Sequence, residues 1–185
     1  MTEQQSPSPL YLIVFDPSLN RSGYSVFDIT EKPKLIDYGY IQNKHFPSDK
    51  TGNKLIHIEM VAQTLKYAYY PHIVIKEEWV GPTSNRFGVS NAAAQTLYLL
   101  AGVHNTLTKV FNQQIIENVN NKRFKKQFTG DGNADKDKVA EYVQKYRTRI
   151  WSPKRPLIIR VDDESDAIGI GINWLINNQK LKRVD

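Results

Sequence analysis

Residues 10–28 read LYLIVFDPSLNRSGYSVFD: an apolar run ending in an aspartate, a turn through Pro-Ser-Leu-Asn-Arg-Ser-Gly, then a second apolar run. β-Branched and aromatic residues dominate 11–16 and 23–29, and turn formers separate them, so the stretch predicts two antiparallel strands. Asp16 then closes the first strand. Two explanations are open for an acid there: an Asp-Pro pair starting a turn through its own backbone bonds, or a functional carboxylate at a sheet edge.

Beyond this hairpin, KLIDYGYIQ (34–42) predicts a third strand. From Lys54 to Tyr70 the period changes, with Leu55, Ile58, Ala62, Leu65 and Tyr69 on one helical face and Pro71 ending the pattern. HIVIKEEWVG (72–81) predicts a strand, NAAAQTLYLLAGVHNTLTKVF (91–111) a long helix, and QQIIENV (113–119) a short strand. A basic loop follows. Val139, Tyr142, Val143, Tyr146 and Ile150 then trace a helix that SPKRP breaks, and DDESDAIGIGINWLINN (162–178) opens the last helix with acids suited to its dipole.

This order predicts an α/β fold: a five-stranded mixed sheet, three strands as an antiparallel meander and the rest added in parallel through helical crossovers, with helices flanking it. The 185 residues suit one domain over 11–178, with a flexible polar tail at 1–10 and a basic C-terminal tail at 179–185. No apolar run is long enough to span a membrane, and the N-terminus lacks the order of a signal peptide, so a soluble protein is expected. The absence of cysteine excludes disulfides, thiolate metal sites and cysteine nucleophiles. A net charge of +6 favours polyanionic partners.

The acids carry the chemistry. Glu77 and Glu78 end the second apolar strand, while Asp163 and Asp166 open the last helix at i and i+3, on one face. Each alone reads as a solvated strand end or a helix cap. Parallel strands, however, bring their carboxyl ends to one sheet edge, where functional residues collect. Four carboxylates gathered there without thiols or a histidine motif form a hard oxygen site suited to Mg²⁺ or Mn²⁺. The histidines, His45, His57, His72 and His104, have no ligand spacing.

In chain order, FDPSLNRSGYSVFD, VIKEEWVG, GDGNADKDKV and DDESDAIGIGINWL resemble the RuvC-type Holliday junction resolvases of the ribonuclease H-like superfamily, over residues 11 to about 178. The first strand's D-P-G-x-x-x-x-G-Y motif is similar to Asp16 through Tyr24, with Ser18 in place of glycine. The D-x-x-D-A motif matches Asp163 through Ala167, with Asp162 as the alternative if the register slips by one. The strand glutamate is Glu77, with Glu78 as its alternative. A basic approach to a G-x-G-x-A-x-K turn places Lys125 and Lys136 where that family's functional lysines lie.

The resemblance implies a ribonuclease H-like fold and a metal-dependent crossover junction endodeoxyribonuclease. It would nick four-way DNA junctions symmetrically, with Asp16, Glu77, Asp163 and Asp166 holding two Mg²⁺ ions (Mn²⁺ substituting) and Lys125 and Lys136 offsetting phosphate charge. It further implies a homodimer working in the cytoplasm of a prokaryotic or phage-infected cell, and the loosened first motif is compatible with a phage-encoded member. Lys122, Arg123, Lys125, Lys126, Arg147, Arg149, Lys154 and Arg155 are expected to flank the site and bind phosphates, and Trp79 and Phe87 are candidates for an aromatic wedge into the junction. The apolar face of NAAAQTLYLLAGV is a candidate dimer helix or a plain packing face. Rival readings are a nuclease of RNA–DNA hybrids or structured RNA, a branched-DNA-binding module without catalysis, and an actin-like ATPase, which needs two such lobes.

Overall fold

The structure, a computed structural model, describes residues 8–79, 91–151 and 156–184. Three strands, Tyr11–Asp16 (β1), Arg21–Asp28 (β2) and Lys34–Gln42 (β3), precede the helix Thr51–Tyr69 (α1) and the strand Ile73–Glu77 (β4). The helix Asn91–Val110 (α2) and the strand Ile115–Val119 (β5) follow, then three helices, Asn121–Thr129 (α3), Lys136–Ile150 (α4) and Asp162–Asn177 (α5). The strands form one mixed sheet in the order β3-β2-β1-β4-β5, antiparallel on the meander side and parallel where β4 joins β1 and β5 joins β4. The expected fold class is the observed one. The polar tail expected at 1–10 lies mostly outside the described residues, and at the other end Leu181 is buried while the Val184 amide donates to Tyr146 Oη at 3.0 Å.

Strand alternation divides the core between the two faces of the sheet. Leu12 and Val14 of β1, Phe27 of β2 and Ile75 of β4 pack against α3, α4 and α5, whereas Ile13, Phe15, Val26 and Val74 pack against α1 and α2. The same parity carries Asp16, Gly23 and Glu77 onto the α5 face, at or near the sheet edge.

Helix α5 lies along β2 in matched steps. Gly23, Ser25 and Phe27, two apart on the strand, meet Asp163, Ala167 and Gly171, four apart on the helix. Two strand residues rise about 6.6 Å and four helical residues about 6.0 Å, so the rows stay in step over the contact. Ser25 Oγ donates to the Ala167 carbonyl at 2.9 Å. A Cβ on Gly23 would stand 1.8 Å from the Asp163 carbonyl oxygen, so only glycine allows the first turn of α5 to reach β2.

The segment read as a basic loop is instead the helix α3. Asn120 caps its start by accepting from the Arg123 amide at 3.1 Å, and Gly130, in the left-handed region at φ 83°, ends it. Phe124 and Phe128, at i and i+4, stack at 5.6 Å between ring centroids and anchor the helix in the core. The surrounding lysines and arginine hide this two-residue apolar face from a periodicity reading.

Helix α2 packs on the sheet through its second half. Val103, Leu107 and Val110 are buried against the sheet, but none of residues 95–102 is, and Tyr98 is 67% exposed. Among the described residues, no helix is long and apolar enough to cross a membrane.

Candidate active site

The parallel pairing of β1 with β4 sets Phe15 beside Lys76, so Asp16 and Glu77 end adjacent strands at the same level. Asp16 closes β1 where the hairpin turn begins. That turn is tied by Ser22 Oγ, which donates to the Ser18 carbonyl at 2.5 Å and accepts from the Ser18 amide at 2.9 Å. The first turn of α5, pressed onto Gly23, adds Asp163 and Asp166 from above. Four carboxylates from three elements thus face one another.

Their electrostatics record the crowding. Burial raises the Asp16 carboxyl well above its ordinary value, a hydrogen bond with Glu77 raises it further, and the nearby charges of Glu77, Asp166 and Asp163 act in the same direction. Burial and these like charges together favour the protonated form of the Asp16 carboxyl when no cation is bound. Asp166 is buried and pushed up to about 6, chiefly by burial, with Lys125 and Lys136 pulling it down and Glu77 and Asp163 pushing it up.

The strand-end and helix-start alternatives lie on different faces. Glu77 belongs to the cluster and accepts from Asn121 Nδ2 at 2.9 Å, while exposed Glu78 accepts from Asn120 Nδ2 at 3.3 Å outside it. Asp163 faces Asp16, whereas Asp162 is half exposed and pairs with Lys136 Nζ at 3.3 Å. Lys136 loses some affinity for its proton through burial, but Asp162, Asp163 and Asp166 together raise it above its ordinary value. Lys125 Nζ donates to the Ala134 carbonyl at 2.9 Å, beside the same Asp166.

The donor set fits a hard divalent cation. Its ligand atoms are all oxygens, Asp166 Oδ1 is buried with no hydrogen-bond partner, and Asp16 is held among like charges that a cation would neutralise. Among the described residues no three such groups already stand as a ready coordination shell. One reason is visible: Arg21 Nε is bonded to Asp163 Oδ2 and occupies that carboxylate. Arg21 escaped the sequence reading because its partner lies 142 residues away, with only its place in the turn after Asp16 as a signal.

Other expected residues scatter. Lys122, Arg123 and Lys126 line a cleft on the outer side of α3, with Gly130 and Gly132. Arg147 and Arg149 do not flank the acids: they sit 11 and 13 residues beyond Lys136 on α4, roughly 16–20 Å along the helix, and Arg149 Nη1 donates to the Lys182 carbonyl. Trp79 is 37% exposed just past β4, and Phe87, Lys154 and Arg155 lie outside the described residues.

The chain has a ribonuclease H-like fold with an acidic cluster where β1, β4 and α5 converge. No family model matches the chain. It is 26% identical over 169 residues to crossover junction endodeoxyribonuclease RuvC of Synechococcus sp. (strain CC9311), covering 87% of this chain and 95% of that protein. It is 28% identical over 167 residues to the protein of the same name from strain CC9605, covering 89% and 97%. In fold it is similar to Thermus thermophilus RuvC at a TM-score of 0.64 and 14% identity, covering 91% of this chain and 97% of that one. The yeast mitochondrial Holliday junction resolvase Ydc2 aligns at 0.60 and 12%, covering 92% and 81%. In sequence and in fold, then, the chain is similar to RuvC-type proteins along most of its length.

The raised Asp166 carboxyl makes the cation-free protein sensitive to pH. A carboxyl whose folded-state pKa is raised contributes its stability below the ordinary value of 3.8 and loses it as pH climbs through about 6. Buried His104 acts oppositely: burial and the charge of Lys76 hold it down to about 4, so its contribution is present above 6.5 and fades as pH falls. Comparing Asp166→Asn with wild type cancels His104. In chelator, thermal melts of the two should coincide near pH 4, and the variant should become the more stable by several degrees as pH rises past about 6.

Proposed function

We propose that this chain is a divalent-cation-dependent endonuclease that resolves four-way DNA junctions by paired symmetric nicks. The observation that carries the reading is the crowded carboxylate cluster, built where a RuvC-type sheet ends and left electrostatically unresolved without a cation. Support comes from the relatives named crossover junction endodeoxyribonuclease and from the likeness to T. thermophilus RuvC in complex with Holliday junction substrate, at a TM-score of 0.64 and 14% identity over 92% of this chain and 96% of that one.

Asp16, Glu77, Asp163 and Asp166 are assigned as the ligands of two Mg²⁺ ions, with Mn²⁺ able to substitute. Bound, such ions supply Lewis acidity toward phosphoryl oxygens and lower the pKa of water. The chain's own residues do the rest. Asp163 would exchange its bond to Arg21 for a place in the ligand set, and the raised Asp16 carboxyl would have to be ionised to serve as a ligand. Lys125 and Lys136 flank Asp166 and offset charge on the scissile phosphate. Lys122, Arg123 and Lys126 hold the backbone nearby. Hydrolysis breaks the P–O3′ bond and leaves a 5′-phosphate and a 3′-hydroxyl.

Two nicks on a two-fold substrate call for two copies of the chain. The uncovered N-terminal half of α2, carrying Leu97, Tyr98 and Leu100, is the surface we assign to the dimer. Tyr98→Glu changes a side chain that is 67% exposed, so the monomer should fold normally while light scattering shows the dimer mass falling to that of a monomer.

The function is tested by incubating the wild type with labelled four-way junction, linear duplex and RNA–DNA hybrid in Mg²⁺. Paired nicks at symmetric positions, at a rate at least about a hundredfold above that on duplex, are expected. Preferential cutting of the hybrid would retain the metal site but replace the substrate.

A further inference from the structure

Between β5, α3 and the second half of α5 lies a cavity of about 420 Å³ that the mechanism above does not use. Its size is in the range of small-ligand sites. Its wall contains Asn173, which is only 4% exposed. The Asn173 amide nitrogen donates to Gln127 Oε1 at 3.2 Å, but its Oδ1 has no hydrogen-bond partner. A buried acceptor left unpaired costs free energy that a ligand bearing N–H groups would recover. Glu78 and Glu117 add carboxylate acceptors to the lining, and Trp174 adds an aromatic surface, its indole N–H donating to Glu117 Oε2 at 2.9 Å.

A second feature specifies what kind of ligand fits. Arg123 and Gln127 line both this cavity and the basic cleft that contains Lys122 and Lys126. A cationic shelf therefore adjoins an acceptor-rich aromatic cavity, matching the phosphate and the base of one nucleotide. The cavity is also tied to the acids: Asn120 and Asn121, consecutive at the start of α3, donate to Glu78 on its rim and to Glu77 in the cluster.

We infer that this cavity receives an unstacked nucleobase of the DNA substrate, with the adjoining phosphate on the shelf of Lys122, Arg123 and Lys126. Because Asn173, Glu78 and Glu117 offer acceptors, cytosine and adenine, which present an exocyclic amino group, are preferred over thymine, which has none. The inference takes its substrate from the nuclease reading and adds to it a determinant of sequence preference.

The test titrates the full chain with dCMP, dAMP, dTMP and inorganic phosphate while following tryptophan fluorescence, to which Trp79, Trp151 and Trp174 contribute. The expected result is quenching by dCMP and dAMP at concentrations at least about fivefold lower than by dTMP, with no response to phosphate alone and none in Trp174→Phe. Asn173→Leu should level the three nucleotides, while Arg123→Gln should weaken all three alike. Should Asn173→Leu fail to fold, Glu117→Gln, which turns one acceptor into a donor at the same shape, should narrow the advantage of dCMP over dTMP. A quench that persists in Trp174→Phe, an equal response to phosphate, an unaltered base order in these variants, or no response at all would overturn the inference. The titration involves neither a junction nor cleavage. Base-ordered binding by a chain that cuts no junction would therefore refute the nuclease reading alone, and junction cutting without base order would refute this inference alone.

Discussion

Asp16→Asn is expected to abolish junction cleavage and, in the same protein, to raise the melting temperature measured in chelator. The two effects share one cause. Asp16 is half-buried at the end of β1, bonded to Glu77 and repelled by Asp166 and Asp163; desolvation first and then these neighbours raise its carboxyl well above its ordinary value. An amide of nearly the same shape keeps the packing and can donate to Glu77, which removes both the repulsion and the cost of ionising a carboxyl at that position. Without the central carboxylate the ligand set is incomplete, and a loss of at least about a thousandfold in single-turnover cleavage is expected. The melting temperature should rise by several degrees in chelator, and the stabilisation that Mg²⁺ or Mn²⁺ gives the wild type should shrink. A variant that is inactive but less stable than wild type in chelator would contradict the assignment of Asp16 as the strained member of the cluster.

Gly23→Ala should damage both fold and activity through a residue that bears no chemistry. Its added methyl would sit 1.8 Å from the Asp163 carbonyl oxygen and 2.4 Å from the carbonyl carbon, both backbone atoms that no rotamer change can move aside. Helix α5 must lift at its first turn, which loosens the Ser25 to Ala167 bond and shifts Asp163 and Asp166 away from Asp16. A destabilisation of about 1–3 kcal/mol is expected from overpacking, and a displacement on the order of 1 Å of the two aspartates should lower cleavage by about a hundredfold. Denaturant melts and cleavage rates on the same preparation check both. Retention of full activity would mean that α5 does not position the acids.

The first strand pair was legible because everything that shapes it is local. Two apolar runs rich in β-branched and aromatic residues, a turn rich in Ser, Asn and Gly, and an acid at the strand end lie within nineteen residues, 10–28, and the observed register pairs Asp16 with Gly23 across that turn. The last helix was legible for the same reason, its acids falling in the first turn and its apolar residues behind them. Composition alone does not separate Glu77 from Glu78; the parity that sends Ile75 toward α5 puts Glu77, two residues on, on that same face. Helix α3 was missed because two phenylalanines among four basic residues make too narrow a face to show as a period, yet Phe124 and Phe128 are enough once α4 and α5 supply the other wall.

By itself the sequence determined the elements, their order and the four acids at element ends, because hydrophobic period, turn chemistry and helix-start signals act over a few residues. Only the tertiary structure decided that these acids converge, that Arg21 balances Asp163, that Gly23 admits α5, and that Asn173 is left with an unpaired oxygen beside a cavity. The first three of these depend on contacts between segments about 140 residues apart, such as Arg21 to Asp163 and Ser25 to Ala167, each spanning 142 positions. Their geometry follows from how a helix seats on a sheet, a property of packed surfaces that no short window of residues contains.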